Sequence, residues 1–253
     1  MTSWSLFKHA IKMLVRNWKD VLRIFLVPTL ISVGIVGFAA QRTGVFTMVM
    51  EAPIPNTTEP AGFLGTILVS AIIVFLVFIW SVVAWHRYVL NEEPVVGFIP
   101  PLRMKRIGAY VLQVILISLL VVLSMIPVMI VLVALMAVMG SAFRTFSFIF
   151  EPGLTLFPAW VFLRLSVSLP HVATGKPSMS LLQGWKATSG AFGPVIGLAL
   201  ITVVMQFVAE SVAFLLAGPL AVIWTLGAGL ILGLIQVSIL TTLYGYYVEK
   251  RPI

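Results

Sequence analysis

Residues 107–143, IGAYVLQVILISLLVVLSMIPVMIVLVALMAVMGSAF, run for 37 positions without a charged side chain. A helix of a soluble domain must show water a polar face, and this stretch has none to show. A membrane-spanning helix needs about 20 apolar residues, usually 17 to 25. The run is thus long for one perpendicular crossing and short for two. Its flanks decide: Arg103, Lys105 and Arg106 precede it and Arg144 follows. Placing the first group inside and Arg144 outside makes it one long tilted crossing, over approximately 107–139 and kinked at Pro127.

Working outward, the same rule finds five more spans at approximately 22–40, 62–88, 152–172, 192–216 and 220–247. The last two come from Ala191–Val248, 58 residues whose one charge is Glu210, divided by the turn Ala217-Gly218-Pro219. The second ends in Trp80, Trp85 and Tyr88, an aromatic belt at headgroup depth. The connection from Gln41 to Ala61 carries Pro53, Pro55 and Pro60 and should be irregular.

Composition agrees. The 253 residues are 60% hydrophobic and 9% charged, and the mean hydropathy is +1.12. A soluble globular protein is excluded, and no polar stretch is long enough for a separate soluble domain. The expected fold is all-α, a single membrane domain of six transmembrane helices.

The net charge of +8 would suggest nucleic acid in a soluble protein, but 13 of the 16 Lys and Arg residues fall on alternate connections. That is the positive-inside pattern of an inner-membrane protein with both termini cytoplasmic, and it supplies no basic groove for nucleic acid. Within residues 3–19, Trp4, Phe7, Ile11, Leu14 and Trp18 recur three or four apart, while Lys8, Lys12, Arg16 and Lys19 occupy another face. This predicts an amphipathic interfacial helix whose partner is anionic lipid. A shorter version runs from Ser178, as N-cap, through Leu182 and Trp185 to Ser189.

A faint repeat of about 85 residues joins these parts, each unit being a basic segment, two spans and a turn ending in proline. The turns are Asn91-Glu92-Glu93-Pro94, Thr174-Gly175-Lys176-Pro177 and Glu249-Lys250-Arg251-Pro252. Three tandem hairpins would follow, although any six-helix chain also divides into three hairpins.

Motifs for chemistry are sparse. Without cysteine, disulfides and thiolate sites are excluded, and three His, one Asp and seven Glu are too scattered for a metal site. No metal and no cofactor is expected. No nucleophile can be paired with a base by spacing, so an enzyme ranks last. His9, His86 and His171 read as interfacial hydrogen-bonding groups, and Glu92 and Glu93 as exposed. Asn56-Thr57-Thr58 matches a glycosylation sequon by a pattern common by chance. Gly37 to Ala39 could pass for a cleavage site, yet the charged residues before the first span suit an uncleaved signal anchor better. Gly193-x3-Gly197 and Gly229-x3-Gly233 allow close helix packing.

Polar residues at membrane depth carry the functional alternatives. Arg164, Ser168 and His171 share one face of the fourth span, and Thr202, Gln206 and Glu210 share one of the fifth. An Arg164–Glu210 pair is disfavoured, because at 1.5 Å per residue Arg164 lies about 10 Å above the inner edge and Glu210 about 24 Å. The first reading makes Arg164 a snorkelling or carbonyl-bound arginine that fixes packing and meets a lipid phosphate. Lys8, Lys12, Arg16, Lys19, Arg87, Arg164 and Trp185 are then contacts for lipid, a protein partner or a second copy. The second reading is a small transporter with a polar path through Arg164, Ser168, Thr202, Gln206, Glu210 and Gln236.

The segments Ala84-Trp85-His86-Arg87-Tyr88-Val89-Leu90, Arg164-Leu165-Ser166-Val167-Ser168-Leu169-Pro170 and Gly184-Trp185-Lys186-Ala187-Thr188-Ser189-Gly190 resemble a group of bacterial six-helix inner-membrane proteins. That group includes the membrane domain attached to some glycerophosphodiester phosphodiesterases. The resemblance implies the same six-helix fold and no catalytic residue in the membrane part. The soluble catalytic barrel of the phosphodiesterases has no counterpart here, so their activity is not implied.

Overall fold

Among the described residues, the breaks that shape the basic part of this chain trace to local causes. The computed structural model describes residues 2–44, 62–140, 142–176 and 179–252, with the side chains of 142–151 excepted. Helix α1, Ser3–Arg16, starts at Thr2, whose hydroxyl accepts from the Ser5 amide while the Ser5 hydroxyl bonds back to Thr2. It ends at Asn17, whose side-chain amide donates to the Met13 carbonyl at 2.8 Å. Helix α1 thus ends at Arg16, three residues before the expected boundary at 19, and the chain bends at Asn17 into α2, Trp18–Thr43. Then follow α3, Phe63–Asn91, and α4, Met104–Met139.

Helix α4 is the 36-residue crossing, continuous through Pro127 and about 54 Å long. The fourth span is broken: α5, Ala142–Ser166, gives way to α6, Ser168–Thr174. Pro170 explains this, since it lacks the N–H that would bond the Ser166 carbonyl and its ring crowds that carbonyl. A short α7, Leu181–Ala187, is capped by Ser180 and Gln183 in a reciprocal box. The cap is therefore Ser180, and the expected N-cap, Ser178, lies outside the described residues. Helices α8, Phe192–Leu215, and α9, Gly218–Tyr247, complete the chain.

Six segments are long and apolar enough to cross a membrane. With no strand among the described residues, this is an all-α, multi-pass membrane protein. Consecutive spans pack as hairpins, α2 with α3, α4 with α5 and α8 with α9. The Asn56 sequon and the proline-rich connection lie outside the described residues.

Burial is lopsided. Trp85, His86, Leu163, Val167, Leu169, Ile239, Leu243 and Tyr244 are buried near the end where α1 and the C-terminal residues meet. Toward the other end Val138, Phe214 and Leu215 are more than 80% exposed. Lipid tails solvate such faces as well as a protein core does, so the spans need not close on each other there. The well-packed end also carries most of the basic residues and is the basic end of the bundle.

Candidate functional site at the basic end

Three helix ends meet here, and a left-handed residue follows each, directly as the cap of α3 and of α6 and three residues beyond Tyr247 in the case of α9. Glu92, Gly175 and Lys250 have left-handed backbones, with φ of 54°, 83° and 57°. Each stands two residues before a proline of the repeated turns. Glycine adopts this conformation freely, whereas Glu92 and Lys250 do so against their Cβ atoms. The last carbonyls of a helix have no partner within it, and here arginines from neighbouring helices supply one.

Arg87 of α3 donates to the carbonyls of Ala173 at 2.9 Å and Thr174 at 3.1 Å, the end of α6. Arg251, after α9, donates to Val89 at 3.3 Å and Leu90 at 2.7 Å, the end of α3. Lys176, after α6, pairs with Glu249, after α9. The three ends thus form a closed ring, α9 to α3, α3 to α6 and α6 to α9. Glu93 anchors it by binding Arg87 and, at 3.0 Å, Arg103. Its carboxyl is held below the usual value chiefly by the Arg87 hydrogen bond. Glu93 is therefore a half-buried structural anion, contrary to its expected exposure, while Glu92 is exposed.

Beneath the ring lies a buried polar layer. The Thr241 hydroxyl donates to the Val237 carbonyl, so it accepts from His86 Nδ1 at 2.9 Å. That leaves His86 Nε2 to accept from the Tyr110 hydroxyl at 3.2 Å. His171 Nδ1 contacts the Tyr244 hydroxyl at 2.9 Å.

Arg164 is 7% exposed. Its Nε donates to Thr188 Oγ1 at 3.1 Å and its Nη2 to the Trp185 carbonyl at 2.9 Å. The guanidinium lies 3.8 Å from the centre of the Trp185 ring and 5.3 Å from that of Trp160. Arg164 and Trp185 therefore meet directly, an arginine clamping α7 to α5. No carboxylate pairs with it among the described residues.

The remaining residues of the polar path are separated. Ser168 accepts from Gln113 Nε2 at 2.9 Å. Thr202 bonds its own helix at Ala199. Gln206 donates to Glu210 at 2.7 Å on an exposed face, and Gln236 is half-buried on α9.

Helix α1 lies across α8 and α9. Its inward face is Leu6 and Ala10, with the Ala10 carbonyl accepting from Ser238 at 2.8 Å. Ser3 seats on the glycine pair of α8, donating to the Gly193 carbonyl at 3.4 Å. A Cβ at Gly197 would fall 2.8 Å from the Ser3 Cβ. Trp4 and Trp18, expected on one apolar stripe with Phe7, Ile11 and Leu14, are more than half exposed, while those three are half-buried. Lys8, Lys12, Arg16 and Lys19 are all exposed, and none has an ion pair among the described residues.

Spacing alone did not reveal Arg251, Glu93, Tyr110, Thr241 or Gln113 as members of this end. The repeated proline turns were the one signal that led toward the first two. Fold and site define an all-α membrane protein of six spans, joined at one end by a ring of charged and carbonyl groups. No protein-family model matches the chain, and neither curated proteins nor solved structures give a match.

Proposed function

We propose that this protein is a non-enzymatic component of the cell inner membrane, with both termini cytoplasmic, acting through contacts of its basic end with anionic lipid. The observation that carries this reading is the outward face of α1 together with the first turn of α2. Lys8, Lys12, Arg16 and Lys19 stand exposed and without carboxylate partners among the described residues, on the same stretch of chain as the exposed rings of Trp4 and Trp18. Cations with flanking tryptophans suit a surface of phosphate groups over hydrocarbon. The basic connections grouped at this end support the cytoplasmic orientation.

The interior polar groups support an interaction role over a conduit. Arg164, Ser168 and Thr202 each bond within the protein. The three segments that carry the resemblance to the six-helix inner-membrane group also lie in or beside this end. A protein partner or a second copy seated on the same face is the other form the interaction takes.

Native mass spectrometry of the gently extracted protein tests the reading. Wild type is expected to retain anionic phospholipid, and the combined Lys8→Ala, Lys12→Ala, Arg16→Ala and Lys19→Ala variant to lose it. Equal retention by both, or a bare chain in both, overturns the reading and directs attention to solute flux in liposomes.

A further inference from the structure

Between α1 and the end of α3 lies an open cleft of about 820 Å³, within the range of small-ligand sites. One wall is His9, Lys12 and Arg16, spaced three and four apart on one side of α1, and the other is Val89 and Glu92. Lys12 and Arg16 make no ion pair among the described residues, and neither does Glu92. Glu93, next to it, is fully engaged by Arg87 and Arg103. The cleft therefore holds two unpaired cations facing one unpaired carboxylate, too far apart to satisfy one another.

A ligand that satisfies both walls carries an anion and a cation a few bonds apart. Phosphate is the anion that suits a lysine and an arginine together. The carboxylate of Glu92 is satisfied by charge-assisted hydrogen bonds from a primary ammonium group at the ligand's other end. Met13 and Val15 also line the cleft, and exposed Val15 and Trp18 continue an apolar surface beside it. That continuation fits an acyl-bearing molecule better than a water-soluble one. His9 is held below its ordinary value by burial first and by Lys12 second. Being neutral at pH 7, it offers an N–H to a phosphate oxygen without adding repulsion.

We propose that this cleft is a headgroup site for a phospholipid bearing a primary ammonium group, its phosphate on Lys12 and Arg16 and its ammonium on Glu92. The proposal rests on the reading of the basic end as lipid-facing and adds to it a discrete site and a selectivity.

The test places the full chain in nanodiscs of equal phosphatidylethanolamine and phosphatidylglycerol and measures the ratio of the two lipids retained after release. Because the exposed cations also retain anionic lipid, the enrichment is read against Glu92→Gln: the ratio of phosphatidylethanolamine to phosphatidylglycerol held by wild type is expected to be about fivefold higher, which corresponds to about 1 kcal/mol. The total retained should be the same in both. Lys12→Ala with Arg16→Ala should reduce both lipids. Soluble glycerophosphoethanolamine should not displace the lipid. An equal ratio in wild type and Glu92→Gln overturns the headgroup site. Displacement by the soluble compound overturns the lipid as its source. If lipid retention still depends on Lys8 and Lys19 while enrichment is absent, the lipid-facing reading stands and this cleft alone is refuted.

Discussion

Replacing Arg164 by methionine and by lysine separates two accounts of a buried cation. Its bonds to Thr188 and the Trp185 carbonyl, at 3.1 and 2.9 Å, are charge-assisted, contributing about 1.5–3 kcal/mol each. The Trp185 ring at 3.8 Å adds about 2 kcal/mol when desolvated. Against these stands the cost of taking a cation out of water without a carboxylate partner, about several kcal/mol. Methionine fills a similar volume and removes bonds and penalty together. It also strands no partner, because the Trp185 carbonyl still accepts from the Thr188 amide and hydroxyl.

Arg164→Met should therefore lower stability by only about 1–3 kcal/mol, within the usual span of single substitutions. Arg164→Lys keeps the penalty but loses the planar fork and the stacking, so it should be worse than methionine by about 1 kcal/mol. Unfolding in mixed micelles, followed by tryptophan fluorescence, gives both numbers. If lysine is tolerated like wild type while methionine is not, the internal account is refuted. Arg164 would then be matched by an anion from outside the fold.

Gly197→Ala should displace α1, because its new Cβ would lie 2.8 Å from the Ser3 Cβ. Overpacking of this kind costs about 1–3 kcal/mol, and Ser3→Gly in the same chain should restore both stability and the protection of α1 from proteolysis. Arg251→Ala should loosen the end of α3, seen as faster amide exchange at Glu92 and Glu93, with α8 unaffected. Glu93 has a depressed folded pKa, so its contribution is full above the ordinary value of 4.5 and is lost as pH falls through the folded value. Glu93→Gln should accordingly lower the melting temperature at pH 7, and the difference from wild type should narrow as pH drops below about 4.

The six spans were legible because run length and charge placement are properties of single segments, and both gave the same count. The break at Ser166 could have been read from Pro170, but the apolar run conceals it. The ring was not legible. Arg87 and Arg251 bond to backbone carbonyls, and a carbonyl acceptor leaves no mark on residue type. Glu93 looked solvated because the Glu-Glu pair sits on a turn, and its two arginines arrive from different helices. For α1 the period was evident, but which residues face inward depends on the glycines of α8 and on Ser238, contacts that span most of the chain. Arg164 and Trp185 were both singled out, whereas their stacking required the short α7 to fold back along α5.

The most direct test of the central claim is a cryo-EM map of the protein in nanodiscs containing anionic phospholipid. The account predicts lipid density with its phosphate against Lys8, Lys12 and Arg16 of α1 and Lys19 of α2, and protein-filled packing around Arg164, Ser168 and Thr202. A bare α1 face, together with a continuous column of ordered water linking Ser168, Thr202 and Gln206, would contradict it.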